Sequence, residues 1–167
     1  MSQIVETAEI DLVPLDLPNL RRLAASEPAY LEAPDGALPP SHVAARSLSQ
    51  LDAGVPANWC VPFLIVTKAS REILGGCGFK GEPSNGRVEI GYGVAESARC
   101  RGIATAAVVE LLKLAASSGL VRHVDAHIVP DNVASSKVVS HLGFSPGDTI
   151  IDPDGELVVH WAYPVAT

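Results

Sequence analysis

Apolar and polar positions change period several times along the chain, and each change marks an element. Ile4–Leu15 alternates well enough for a first strand. Pro18 then stands where a helix can open, and Leu20, Leu23 and Ala24 give that helix a short apolar stripe. The loop Ala33–Pro40 (APDGALPP) leads to a second helix, from near Ser41 to Leu51, which ends before Gly54. From Val61 the runs become short and strand-like. Phe63–Thr67 and Ile73–Lys80 flank the turn Ala69-Ser70-Arg71, and the polar turn Glu82–Gly86 leads to a strand at Arg87–Val94. Gly102–Ser117 places Ile103, Ala107, Leu111 and Leu114 at helical spacing, with Gly119 as its stop. Arg122–Val129 is a further strand, and Val133–Leu142 is a short helix closed by Gly143. Thr149–Asp152 and Glu156–Tyr163, on either side of Pro153-Asp154-Gly155, predict a terminal hairpin.

A strand-helix-strand passage around Gly102 demands a crossover, so the central pair should be parallel inside an otherwise antiparallel sheet. The expected fold class is α/β (α+β), with about seven strands, one parallel pair and about four flanking helices. A chain of 167 residues suits one domain spanning 1–167. Apolar residues make up 47% and charged residues 19%, the balance of a water-soluble globule. No apolar run reaches the length of a membrane helix, and the first residues lack the basic-then-apolar pattern of a secretory signal. The expectation is a cytoplasmic protein without a membrane partner.

Cys60, Cys77 and Cys100 are widely spaced and form no CxxC pair, which points to reduced thiols and away from zinc or a disulfide framework. The net charge of −7 argues against nucleic acid as a partner and suits, weakly, a cationic acceptor such as an amine. His123, Asp125 and His127 would share one strand face. No further ligand lies close in sequence, so no metal is expected and structural roles fit them better; His127 could border an acceptor pocket.

The chemistry concentrates in Val94-Ala95-Glu96-Ser97-Ala98-Arg99-Cys100-Arg101-Gly102-Ile103-Ala104-Thr105. A strand ends there, a polar loop follows, and a helix opens. The first turn of a helix has unpartnered N–H groups and the positive end of the macrodipole, which together suit a phosphate or pyrophosphate. Small residues at Gly102 and Ala104 would let such a ligand approach, and Arg99 and Arg101 add positive charge. No GxxxxGK[ST] occurs, and Gly91-Tyr92-Gly93 lacks the third glycine of a dinucleotide fingerprint, so those two phosphate loops are excluded.

Arg99-x-x-Gly102-x-Ala104 resembles the Q/R-x-x-G-x-G/A signature of the GNAT acetyltransferases. Val88-Glu89-Ile90-Gly91-Tyr92 looks like that family's fourth strand. Asn132-Val133-Ala134-Ser135, followed by His141-Leu142-Gly143-Phe144, is similar to a segment of its RimJ/RimL-like branch. The resemblance implies that backbone amides from Cys100 through Thr105 (Cys100, Arg101, Gly102, Ile103, Ala104, Thr105), bracketed by Arg99, bind the pyrophosphate of acetyl-CoA. It implies that Val94 pairs with the pantetheine arm and that a bulge at Gly91 or Gly93 splays the strand. Asn132 would bind the pantetheine, and Ser135 would sit by the thioester sulfur. Glu89 would take the proton of the acceptor amine; a surface glutamate on an alternating strand is the plain alternative. Family members often place a tyrosine two turns into the last helix, where this chain has Val139, so that role would pass to Ser135 or solvent.

The resulting expectation is an N-acetyltransferase that moves an acetyl group directly from acetyl-CoA to a primary amine. A non-catalytic CoA-binding sensor or regulatory module is the alternative, and a phosphate-binding protein unrelated to CoA a third. The acceptor would be a small molecule or a protein or peptide N-terminus, and the protein a monomer or homodimer.

Overall fold

The computed structural model describes residues 9–165. Its strands are β1 (Ile10–Pro14), β2 (Phe63–Thr67), β3 (Ile73–Phe79), β4 (Arg87–Val94), β5 (His123–Ile128), β6 (Ser145–Ile151) and β7 (Leu157–Pro164). Its helices are α1 (Leu17–Ala24), α2 (Ser41–Asp52), α3 (Ile103–Ser118) and α4 (Val133–Leu142). The first strand was expected from Ile4; residues 4–8 lie outside the described residues, and β1 ends at Pro14 because the chain turns into α1. The terminal hairpin begins earlier than expected, at Ser145, because a register irregularity between Pro146 and Thr149 lets β6 keep pairing with β7.

One seven-stranded sheet results, in the order β1-β2-β3-β4-β5-β7-β6. Only the β4–β5 pair is parallel among the described residues. The turn before β4 sets where that pair begins. Asn85 and Gly86 both adopt positive φ (54° and 76°), the backbone of a tight hairpin turn, and Ser84 and Arg87 bridge across it. The Gly86 carbonyl then accepts from the N–H groups of Arg122 and His123, at 2.6 and 3.0 Å. This brings Arg87 level with His123 and starts the parallel ladder.

The sheet has two differently covered faces. Tyr92 of β4 reaches α4, and α3 packs on α4, β4, β3 and β1, so both crossover helices lie on the face of Val88, Ile90 and Tyr92. Leu111, Val108, Ile90, Val124 and Val139 are fully buried on that side. The expected stripe of α3 holds for Ile103, Ala107 and Leu111 but not for Leu114, which is 43% exposed. Ala115 takes the buried place, because the i+4 row from Ala107 through Leu111 continues to residue 115. The helices α1 and α2 pack together over the other face, where α2 helps wall a cavity floored by β3 and β4. Leu20 and Ala44 are wholly buried in that layer. No helix among the described residues is long and apolar enough to cross a membrane.

Close approach of β3 and β4 leaves no room at Gly75. A Cβ there would stand 2.3 Å from the Gly93 carbonyl oxygen, a backbone atom that cannot swing away. Gly75→Ala should therefore cost about 1–3 kcal/mol of stability. A lowered Tm in thermal unfolding followed by circular dichroism checks this; an unchanged Tm would contradict it.

Candidate active site

The strands β4 and β5 stay together for only three residue pairs, Arg87 with His123 through Glu89 with Asp125. Beyond that point β4 continues alongside β3 as far as Val94, and β5 continues alongside β7 as far as Ile128. A slot opens between them. No bulge produces it: the β3–β4 register runs without a shift from Phe79 opposite Ile90 to Gly75 opposite Val94. The bulge expected at Gly91 or Gly93 is thus absent, and the splay comes from each strand following its outer neighbour.

The direction of the β4 backbone follows from two bonds. Lys80 N–H donates to Glu89 C=O and Ala95 N–H to Leu74 C=O, both at 2.9 Å, so the odd-numbered residues bond to β3. The even-numbered residues Tyr92 and Val94 then turn their N–H and C=O groups into the slot. Val94 thus presents an unpaired strand edge to the slot, and Tyr92 presents the same edge two residues earlier.

At the far end of β4 the chain passes through a 3₁₀ turn (Glu96–Ala98) into the loop Arg99–Gly102. Cys100 has φ +63° and Gly102 φ +72°, so two left-handed residues lie one apart. Such a backbone gathers successive N–H groups into a concavity for an anion. The first bond of α3 runs from Ala106 N–H to Gly102 C=O, 3.0 Å, and leaves the N–H groups of Ile103, Ala104 and Thr105 without a helical acceptor. Arg99, Cys100, Arg101 and Gly102 are exposed, Ala104 and Thr105 half-buried. The Ile103 side chain is in the core, 3% exposed, so only its amide can meet a ligand. An ideal Cβ on Gly102 would meet nothing within 4 Å, which means the hollow in front of this amide is open.

On the other side of the slot α4 begins. Asn132 caps it, with Oδ1 accepting from Ser135 N–H at 3.1 Å. One lone pair of the Asn132 side-chain oxygen is used in this cap, and its amide N–H₂ makes no bond among the described residues. Ser135 is half-buried in the first turn, and its carbonyl accepts from the Tyr92 hydroxyl at 3.0 Å. Burial, opposed by this hydrogen bond, pushes the Tyr92 phenol up to about 12, so it stays a donor at neutral pH. The sequence reading had not singled out this second hydroxyl near Ser135. Val139 is fully buried beneath α4 and reaches no ligand.

The sheet face under α2 carries the remaining polar groups. Gly76, Gly78, Gly91 and Gly93 form a side-chain-free floor, and Pro39, Val43, Arg46, Pro62 and Lys80 help wall a cavity of about 430 Å³. Glu89 stands on the same face two residues before Gly91. Its Oε2 lies 2.9 Å from Lys80 Nζ and 3.2 Å from His127 Nδ1. The His127 ring stacks on His160, with centroids 4.9 Å apart and planes 16° apart. His160 Nε2 is 2.8 Å from Asp125 Oδ1, and Arg87 grips both Asp125 oxygens at 3.0 and 2.6 Å. His160 was not legible in the sequence; its place opposite His127 depends on the β5–β7 register. Asp125 contacts Arg87 and His160, whereas His127 lies against Glu89, so the two residues have different partners.

Residues 10–145 match the family model described as the acetyltransferase (GNAT) domain. The chain belongs to the GNAT acetyltransferase family. The uncharacterized N-acetyltransferase YjdG of Bacillus subtilis (strain 168) is 35% identical over 102 residues, 60% of this chain and 58% of its own length. The chain spans about half the length of the curated relatives it matches, 58% and 47%. Among solved structures, the RimL ribosomal L7/L12 alpha-N-protein acetyltransferase in complex with coenzyme A superposes with TM-score 0.66 at 21% identity, covering 98% of both chains. A chimera of spermidine N-acetyltransferase SpeG from Vibrio cholerae and hSSAT reaches 0.68 at 14% identity over 93% of this chain and 95% of its own. At these identities the likeness is one of fold.

Burial alone would push the Asp125 carboxyl up, but the Arg87 and His160 contacts overcome it and hold its pKa below the usual carboxylate value. A depressed folded-state pKa stabilises the protein above about pH 4, and that contribution disappears as pH falls through the folded value. Asp125→Asn should cost about 1–3 kcal/mol at pH 7 by leaving Arg87 and His160 without their anion. Chemical denaturation at pH 7 and pH 3 should show the difference from wild type shrinking at the lower pH.

Proposed function

We propose that this protein is an N-acetyltransferase whose single domain, residues 1–167, moves an acetyl group from acetyl-CoA directly to a primary amine, in the cytoplasm. One observation carries the reading: a slot with free backbone edges leads from a helix start with unpaired amides to a carboxylate–imidazole cluster on the sheet face of an open cavity. Acetyl-CoA, as cosubstrate, supplies the activated thioester. Its pyrophosphate matches the amides of Cys100 through Thr105, with Arg99 and Arg101 adding charge at the rim. Val94 and Tyr92 offer strand-like partners for the two amides of the pantetheine arm, and the Asn132 amide a side-chain donor. Ser135 stands where its hydroxyl can meet a departing thiolate.

Glu89 anchors the proton path on the acceptor side. An alkyl amine is protonated at neutral pH and cannot attack a carbonyl until a base relieves it of a proton. The cavity of about 430 Å³ lies in the range of pockets that enclose small ligands, and it would take a small-molecule amine or the first residues of a peptide. The fold neighbours that act on ribosomal-protein N-termini favour the peptide.

The reading is tested by thiol release from acetyl-CoA over a panel of peptides and small amines; no release from any of them would overturn it. Gly102→Glu should abolish acetyl-CoA binding in calorimetry, because it fills the hollow with bulk and negative charge. Gly102→Ala brings the same strain of a side chain at φ +72° without the charge, and should keep part of the affinity. Unchanged affinity in Gly102→Glu would displace the pyrophosphate from this loop. Glu89→Gln should lower turnover by at least roughly tenfold, whether the carboxylate takes the proton or holds the group that does, with acetyl-CoA affinity unchanged. Normal turnover in that variant would remove Glu89 from the proton path.

A further inference from the structure

Glu89 Oε2 serves two cationic or potentially cationic neighbours at once, Lys80 Nζ at 2.9 Å and His127 Nδ1 at 3.2 Å. A carboxylate oxygen set between a lysine ammonium and an imidazole is held in its ionised form and poorly placed to take up a further proton. The imidazole beside it is in the opposite condition. With a carboxylate oxygen 3.2 Å from Nδ1, the neutral ring is better stabilised with its hydrogen on Nδ1 and its lone pair on Nε2. The parallel ladder pairs Glu89 with Asp125. His127 stands two residues beyond Asp125 and Gly91 two beyond Glu89, so both lie past the parting of the strands and on the same sheet face. Gly91 belongs to the floor of the cavity and has no side chain to come between.

A second carboxylate holds the ring in place indirectly. His160 stacks on His127, and its own Nε2 is fixed by Asp125, which Arg87 grips with two hydrogen bonds. Two stacked imidazoles, each beside a carboxylate, thus lie on the same sheet face as the cavity floor. The groups facing His127 are Glu89 and Arg87 on β4, Lys80 just after β3, Asp125 on its own strand and His160 on β7. The two carboxylates and the two cations balance, so the histidines are the groups of this cluster whose ordinary pKa lies near neutrality.

We propose that Nε2 of His127 receives the amine proton, while Glu89 and His160 are positioning residues that fix its tautomer and ring plane. One proton passes from the acceptor ammonium to Nε2, leaving the nitrogen lone pair free to attack the thioester carbonyl. The C–S bond then breaks with its electron pair leaving on sulfur, and the second proton shed by the nitrogen neutralises the thiolate. The imidazolium returns its proton to water. This rests on the acetyltransferase reading above.

The test is the pH dependence of kcat/KM for an amine that wild type acetylates. His127→Gln should lower turnover roughly 10²–10⁴-fold and leave only the rise set by the amine's own ionisation. Glu89→Gln should lower turnover while keeping the imidazole's acid limb. Imidazole in the buffer should restore part of the rate to His127→Ala and none to Glu89→Gln, and unchanged acetyl-CoA affinity in each variant confirms folding. An acid limb that survives in His127→Gln but vanishes in Glu89→Gln makes Glu89 itself the base and overturns this inference alone. Wild type that binds acetyl-CoA yet releases no thiol with any amine overturns the function reading and this inference with it.

Discussion

The ladder between β4 and β5 is pinned at one end and released at the other, and the site exists because of that difference. At the pinned end the Gly86 carbonyl takes two amides from the start of β5, and Arg87 clasps Asp125 across the pair. Three residues later the strands part, because β4 follows β3 and β5 follows β7 over their remaining lengths. Each wall of the slot is therefore stiffened from outside by a full antiparallel ladder. A tie from Tyr92 to the α4 backbone bridges the gap on the helix side, so the slot is open to a ligand without being loose.

The parting exposes different chemistry on its two sides. Toward α3 and α4 it offers backbone groups: the unpaired edge of β4, the first amides of α3 and the capped start of α4. Both helices begin at the carboxyl ends of the parallel strands, so their positive dipole ends converge on the slot mouth. Toward α2 it offers side chains instead, and there the four-glycine floor keeps the sheet bare while Glu89, His127, His160 and Asp125 crowd its border. The proposed anion-binding and proton-handling groups thus lie on opposite faces of one sheet. The chain's net charge of −7 coexists with local compensation, since Lys80 and Arg87 each neutralise a carboxylate of this cluster.

Local pattern determined most of the architecture. Alternation and helical spacing give elements whose order and limits agree with the observed ones within a few residues, and Gly119 and Gly143 close α3 and α4 at φ +70° and +101°. The Arg99–Thr105 loop is legible because its chemistry is local: a strand end, small residues and a helix start lie within one stretch, and a helix N-terminus carries its unpaired amides wherever it occurs. The resemblance of three short motifs in register added the family, which the match over residues 10–145 bears out.

What only the tertiary structure decided involves residues far apart in sequence. Periodicity sorts side chains onto faces but does not say which residue of one strand meets which of another, and a shift of one residue would reverse the faces. The contact of Glu89 with Lys80 and His127, the stack of His127 on His160, and the clasp of Arg87 on Asp125 all depend on the registers of β3, β4, β5 and β7. The slot is of the same kind. No bulge or glycine in β4 encodes it, because it arises from competition between neighbours for two strands. The sequence by itself thus determined the elements, the Arg99–Thr105 loop at a helix start and the family. The sheet's pairing decided where the strands separate and which polar groups meet there, because pairing is a property of the whole sheet and not of any segment within it.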